Sequence, residues 1–217
     1  MSIPKIIHYC WFGGGPISAE SRRCMESWKK YCPDYKIMAW NEQNLDFSTN
    51  RYAQQAYEAK RYAFVSDYVR LAVLYEYGGI YLDTDVELVR PLDELLEYKG
   101  FIGMEHSAPS PYGRTLLVNT GSGVGAEPGC GMIGKMLAAY RNAAFIQETG
   151  EPDLRACTQR DTPLFTKAGL QQKNEQQELD GFLVLPTDCF SPFDYVTERM
   201  HRTPRTFGIH YCRGSWQ

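Results

Sequence analysis

The stretch from Ala63 to Glu87 constrains the fold most, because it passes from an amphipathic segment through Gly78-Gly79 into Ile80-Tyr-Leu-Asp-Thr-Asp-Val-Glu87. Tyr57, Phe64, Tyr68, Leu71 and Tyr75 recur at near-helical intervals and predict a single apolar stripe on a helix. Glycine suits the left-handed position that ends many helices, so Gly78-Gly79 marks the stop. If Ile80–Thr84 is extended, the side chains of Asp83 and Asp85 leave the same face of the strand. Adjacent carboxylates repel unless a cation lies between them, and oxygen-only ligands suit Mg²⁺ or Mn²⁺. Such a cation would in turn hold a diphosphate. The Asp-x-Asp spacing alone is equally that of a solvated turn at a strand end. Asp67 and Arg70, three apart, share another helix face, either as a structural ion pair or as ligand-binding groups.

A chain of 217 residues, 43% of them hydrophobic, can bury a full core, and residues 1–217 are read as a single α/β domain. A formal charge of -3 gives no basic footprint, so no nucleic-acid partner is expected. An anionic ligand would then need local neutralisation by a metal and a few Arg or Lys residues. No apolar run reaches the roughly 18 residues of a membrane span, and no secretory leader is visible. Seven scattered cysteines without Cys-x-x-Cys pairs favour reduced thiols and a cytoplasmic location. His8-Tyr-Cys10 and His210-Tyr-Cys212 repeat at the two ends, and His8, in a strand-like run, is read as a buried, hydrogen-bonded core residue.

Lys5–Trp11 reads as a strand entering the loop Phe12-Gly-Gly-Gly-Pro16, where backbone can approach a ligand closely. Ser18–Tyr31 reads as a helix and Tyr35–Trp40 as a second strand, so the chain opens as a doubly wound sheet. Leu88–Glu97 is expected as a short helix, Phe101–Glu105 and Leu116–Asn119 as strands, and Met132–Arg141 as a helix. Thr120–Gly131 reads as a glycine-rich loop, though without the Gly-Lys-Ser/Thr end of a phosphate-binding loop. Leu170–Leu179 is polar and reads as an exposed excursion. Asp161 reads as a helix N-cap.

The opening Ile3-Pro-Lys-Ile-Ile-His-Tyr-Cys-Trp-Phe-Gly-Gly14, the Ser66-Asp-Tyr-Val-Arg70 run, Gly78-Gly-Ile-Tyr-Leu-Asp-Thr-Asp85 and the terminal His210-Tyr-Cys-Arg-Gly-Ser-Trp216 appear in that order. Together they resemble glycosyltransferases of the DxD sugar-binding type, family 32. That family holds capsular-polysaccharide transferases and fungal initiating mannosyltransferases, with the clostridial glucosylating toxins more distant. The resemblance implies a GT-A-like domain with a mixed, doubly wound nucleotide-binding sheet flanked by helices. It further implies metal-dependent transfer of a hexose from a nucleotide diphosphate sugar, UDP-sugar favoured, to a glycan or lipid-linked oligosaccharide hydroxyl, with retention of configuration. On the same basis Trp11 stacks on the base, while Asp83 meets the ribose or a donor hydroxyl and reaches the metal through water. Asp85 ligates the metal directly, His210 is a further ligand or phosphate contact, and Ser215 and Trp216 close over the diphosphate. Asp67 and Arg70 hold the sugar, and Asp161-Thr-Pro163 faces the acceptor. The last residues, 210–217, are expected to be mobile until ligands recruit them, and peripheral contact with the inner face of a membrane is compatible with this reading.

Two other classes compete. Leu82-Asp-Thr-Asp-Val86 mimics the first motif of haloacid-dehalogenase phosphatases, where the first Asp is a nucleophile, yet no later Asp-Asp or Gly-Asp-x-x-x-Asp follows to bind Mg²⁺. A non-catalytic sugar-binding module would have little use for an acidic pair combined with His210 and the terminal Ser-Trp.

Overall fold

The computed structural model describes residues 2–212. In chain order the elements are β1 (Ile6–Cys10), α1 (Ala19–Tyr31), β2 (Lys36–Trp40), α2 (Arg51–Glu58), α3 (Tyr62–Tyr77), β3 (Gly79–Tyr81), β4 (Val86–Leu88), β5 (Gly100–His106) and β6 (Leu116–Ala126). There follow α4 (Gly131–Ala138), α5 (Cys157–Lys167), β7 (Gln177–Leu179), β8 (Phe182–Leu185), α6 (Thr187–Phe190), β9 (Phe193–Asp194), β10 (Arg199–Met200) and β11 (Gly208–His210). The central mixed sheet has the order β2-β1-β3-β6-β5-β8-β7. Its β2-β1-β3 edge is parallel, as the doubly wound opening requires, whereas β6 runs antiparallel to both β3 and β5. A separate pair, β4 with β11, brings the end of the described chain back to the acidic segment.

Local chemistry explains the opening units. Ser18 caps α1 by accepting from Ser21 N at 3.0 Å, and Glu20 and Lys29-Lys30 sit at the ends that complement the helix dipole. Cys24 and Trp28, four apart, face inward, and the Trp28 indole donates to Val86 O at 2.7 Å, tying α1 to β4. His8 is fully buried as expected. Its Nδ1 accepts from Trp40 Nε1 at 3.0 Å, so Nε2 donates to Gly78 O at 2.8 Å. Burial lowers its pKa to about 4, which keeps the ring neutral.

One apolar layer packs α2, α3 and α4 against the sheet through Tyr52, Val65, Val69 and Met136, and the other packs α1 against it through Trp28, Ile7 and Leu88. The single-stripe expectation for the helix before Gly78 is corrected. Lys60, at φ 56°, ends α2 with Tyr57 still in it, and the buried face of α3 carries Val65, Val69 and Val73 while Tyr75 is exposed. Phe64 and Tyr68 pack sideways onto Phe145 and Tyr140, so aromatic spacing marked a flank of the helix and not its inner face.

Thr120–Gly131 is also corrected, because β6 runs on to Ala126 through the middle of the sheet. Gly121, Gly123 and Gly125 alternate along one face, and a methyl at each would collide with Asp83 Oδ2, the Phe190 ring and the Phe101 ring respectively. These glycines make room for neighbours. The expected helix at Leu88–Glu97 is only a 3₁₀ turn at Asp93–Leu95, since Val86–Leu88 is drawn into pairing with β11. Within the polar Leu170–Leu179 stretch, Gln177–Leu179 pairs with β8, and Gln172 bonds both Leu116 N and Leu116 O. No described helix is long and apolar enough to cross a membrane.

Candidate active site

Asp83 and Asp85 are brought together by a turn and not by strand alternation. β3 ends at Tyr81, Asp83 N still donates to Gly121 O at 3.0 Å, and Val86 N then bonds Asp83 O at 3.0 Å, closing a tight reversal over Thr84 and Asp85. His210 reaches them because β11 pairs with β4 in a register that sets His210 against Val86. His210 Nε2 lies 3.4 Å from Asp85 Oδ1 and 4.0 Å from Asp83 Oδ2. Asp83, Asp85 and His210 retain only 5%, 1% and 6% of their exposure, so a cation held here is shielded from bulk water. Their ligand atoms fall within 4.8 Å of one another, a span one divalent ion can bridge. Burial pulls the His210 pKa down, but the neighbouring Cys212 and Asp85 outweigh it and hold the pKa well above the ordinary histidine value. Two buried carboxylates therefore already demand positive charge at this spot, which is the condition a metal ligand set must meet.

The expectation of a recruited tail is revised for its first residues. His210 is in a strand, Tyr211 N donates to Asp85 O at 3.2 Å, and the Tyr211 hydroxyl donates to Glu87 at 2.7 Å. Ser215 and Trp216 lie outside the described residues.

Arg70 ties the acidic turn to α3. Its Nη2 reaches Asp83 Oδ1 at 3.3 Å, and its Nη1 reaches Asp67 Oδ1 at 3.1 Å and Thr120 Oγ1 at 3.0 Å. The Tyr81 hydroxyl donates to the same Asp83 oxygen at 3.0 Å. Burial pushes Asp67 up to about 6 despite the opposing pull of Arg70. The ion pair is thus real, yet both partners also line a cavity of about 390 Å³ together with Asp83, Asn119, Cys157 and His210. Trp11 does not line that cavity. It sits half-buried just past β1, with its indole donating to Gly15 O at 2.7 Å.

Asp161 is neither an N-cap nor exposed to a ligand. It is the fifth residue of α5, is fully buried, and both carboxyl oxygens lack hydrogen bonds among the described residues. The helix start is instead held by Gln159, whose side chain accepts from Ala156 N at 3.2 Å. Burial, then the nearby Asp67, raise the Asp161 pKa to about 8. A folded-state pKa above the unfolded value near 3.9 means that stability falls as pH rises through this window. Asp161→Asn is therefore expected to match the wild type near pH 4 and to exceed it increasingly up to pH 8, by about 1–3 kcal/mol as for a buried uncompensated group. Urea denaturation across that range checks it, and a pH-independent difference would remove Asp161 as the cause.

Glu105, Asn119, Thr120 and Cys157 were not singled out from the sequence. Glu105 ends β5 and accepts from Asn119 Nδ2 at 2.6 Å, and burial raises its pKa. The available signal was a carboxylate closing the apolar run Phe101-Ile-Gly-Met, the pattern already read at Asp83.

The chain is similar to known proteins in both fold and sequence. The chain superposes on PaToxG glycosyltransferase with a TM-score of 0.57 over 76% of its length and 70% of that chain, at 24% identity, which establishes the shared fold. It is 34% identical over 131 residues to inositol phosphoceramide mannosyltransferase 3 of Schizosaccharomyces pombe, covering 54% of this chain and 33% of that protein. It is 32% identical over 111 residues to mannosyl phosphorylinositol ceramide synthase SUR1 of Saccharomyces cerevisiae, covering 46% of this chain and 27% of that one. The chain thus spans about a third of the length of these curated relatives. Residues 18–102, which include Asp67, Arg70, Asp83 and Asp85, match the glycosyltransferase sugar-binding region containing a DXD motif.

Proposed function

We propose that this protein transfers a hexose from a nucleotide diphosphate sugar, with UDP favoured, to a hydroxyl of a glycan or glycolipid acceptor, as in polysaccharide or capsule synthesis. The observation that carries the reading is the convergence of buried Asp83, Asp85 and His210, with Asp83 and His210 lining one cavity beside the Asp67–Arg70 pair. Asp85 and His210, with Asp83, would hold Mn²⁺ or Mg²⁺. When bound, the cation neutralises charge that develops on the departing diphosphate. Asp67 and Arg70 orient the sugar, and their mutual pairing fixes both side chains before substrate arrives. Front-side displacement with retention is favoured, as the resemblance to retaining transferases implies. The free cysteines fit a reducing, cytoplasmic setting.

The phosphatase reading gains no support, since its nucleophile would be Asp83, whose Oδ1 is already engaged by Arg70 and Tyr81. Trp11 stays in the proposal as the base platform at the end of β1. Trp11→Ala is expected to weaken UDP binding by about 1–3 kcal/mol, the range for one aromatic–base stack, with unchanged metal preference. Unchanged affinity by titration calorimetry would return Trp11 to a packing role.

Screening UDP- and GDP-linked glucose, galactose, mannose and N-acetylhexosamines tests the reading. At least one should raise the melting temperature only when Mn²⁺ or Mg²⁺ is present, and should be slowly hydrolysed under the same conditions. Stabilisation by none of them, with or without metal, would contradict it.

A further inference from the structure

A second, larger cavity of about 630 Å³ adjoins the first, and Glu105 and Cys212 line both. One wall is the β9–β10 hairpin, hooked to the active site by the Tyr195 hydroxyl, which donates to His210 O at 3.2 Å. Phe193 and Tyr195 meet edge to face with centroids 4.7 Å apart, presenting ring surface to the space. The arginines of the lining are already matched. Arg114 Nη1 donates to both oxygens of Asp194 at 2.9 Å, and Arg205 Nε donates to Asp188 Oδ2 at 2.6 Å. Glu105 is the one carboxylate of the lining without an arginine partner among the described residues. A phosphate or carboxylate entering here would meet arginines whose charge is already balanced by Asp194 and Asp188, whereas hydroxyls and the apolar face of a sugar ring would find acceptors and aromatic surface.

Glu105 stands where the two cavities meet. Asn119 engages its Oε2, no hydrogen bond to Oε1 exists among the described residues, and a carboxyl oxygen falls within 4.8 Å of a ring nitrogen of His210. It is therefore close to where a leaving diphosphate would be held and opens onto the larger cavity as well.

We propose that the larger cavity receives an uncharged sugar unit of the acceptor, and that Glu105 takes the proton of the hydroxyl that attacks. This rests on the transferase reading above and adds the acceptor class and its base. The acceptor O–H bond breaks and its oxygen bonds to the anomeric carbon. The bond from that carbon to the diphosphate breaks, its electron pair leaving on the nucleoside diphosphate, while the proton passes through Glu105 to solvent. Water in the same place gives hydrolysis.

Two measurements test this. Saturation-transfer NMR of the protein with maltose, lactose, mannobiose and chitobiose should show at least one binding, weakened about tenfold or more in Phe193→Ala, with glucose 6-phosphate bound more weakly than that disaccharide. No neutral disaccharide binding, binding indifferent to Phe193→Ala, or preference for glucose 6-phosphate would overturn the assignment. Glu105→Gln keeps an acceptor for Asn119, so its UDP affinity should stay within about twofold while hydrolysis of the donor found in the screen falls about 100-fold, the range for a lost general base. Wild-type hydrolysis in Glu105→Gln would overturn the base. The disaccharide measurement needs no donor, so a wild type that turns over no nucleotide sugar would count against the transferase reading and leave the cavity result standing.

Discussion

Asp85→Ala is expected to lower turnover by about 10³-fold or more, because a metal clamp on a departing diphosphate contributes several kcal/mol to the transition state. The fold should survive the change. Asp85 holds Tyr211 through its backbone carbonyl, which alanine keeps, and losing its carboxylate removes one of two mutually repelling buried acids while His210 stays 4.0 Å from Asp83. The residue is thus interior, and not the surface group that a solvated strand end suggests. Asp85→Asn is the sharper control, since it preserves shape while removing the charge. Steady-state hydrolysis and circular dichroism on both variants decide the point: near wild-type turnover at saturating Mn²⁺ in either one contradicts the assignment.

Arg70→Met should produce the largest loss of stability, about 3–5 kcal/mol, the cost typical of breaking a buried charge network from one side. The guanidinium is the shared partner of Asp67, Asp83 and Thr120, and it lies 4.8 Å from the Tyr81 ring centre. Its removal leaves two buried carboxylates facing each other. The pH dependence has a definite sign. Asp67 already titrates upward from the usual carboxylate value to about 6, and losing Arg70 removes the influence opposing that rise. A raised carboxylate pKa costs stability as pH increases, so the deficit of Arg70→Met should be largest above pH 6 and shrink towards pH 4. Urea midpoints at the two ends of that interval check it. An equal deficit at both would mean that lost packing, not charge, is responsible.

The parts of this architecture legible in the sequence were those where local pattern and tertiary role coincide. Ser18 caps α1, Gly78 follows α3, and the β1 and β2 runs are apolar and short, so local chemistry alone places them. The acidic turn was found for a reason that is only half right. The Asp83–Asp85 spacing does bring the carboxylates together, but through a reversal that only the Gly121 carbonyl and β11 pairing explain. β6 was opaque because its glycines answer to Phe101, Phe190 and Asp83, residues far away in the chain. Glu105 was missed because its significance comes from two cavities meeting, which no spacing within the strand records. Asp161 misled because an acidic residue before a proline resembles a cap, while the true helix start lies four residues earlier.

Electron paramagnetic resonance of Mn²⁺ titrated with the protein, with and without UDP, bears most directly on the metal-diphosphate centre. One Mn²⁺ per chain, bound more tightly in the presence of UDP and lost in Asp85→Ala, is the expected result, since a carboxylate pair and a diphosphate complete one coordination sphere together. Mn²⁺ binding that is indifferent to UDP, or that survives intact in Asp85→Ala, would contradict the assignment of Asp83, Asp85 and His210 as the metal centre of a nucleotide-sugar transferase.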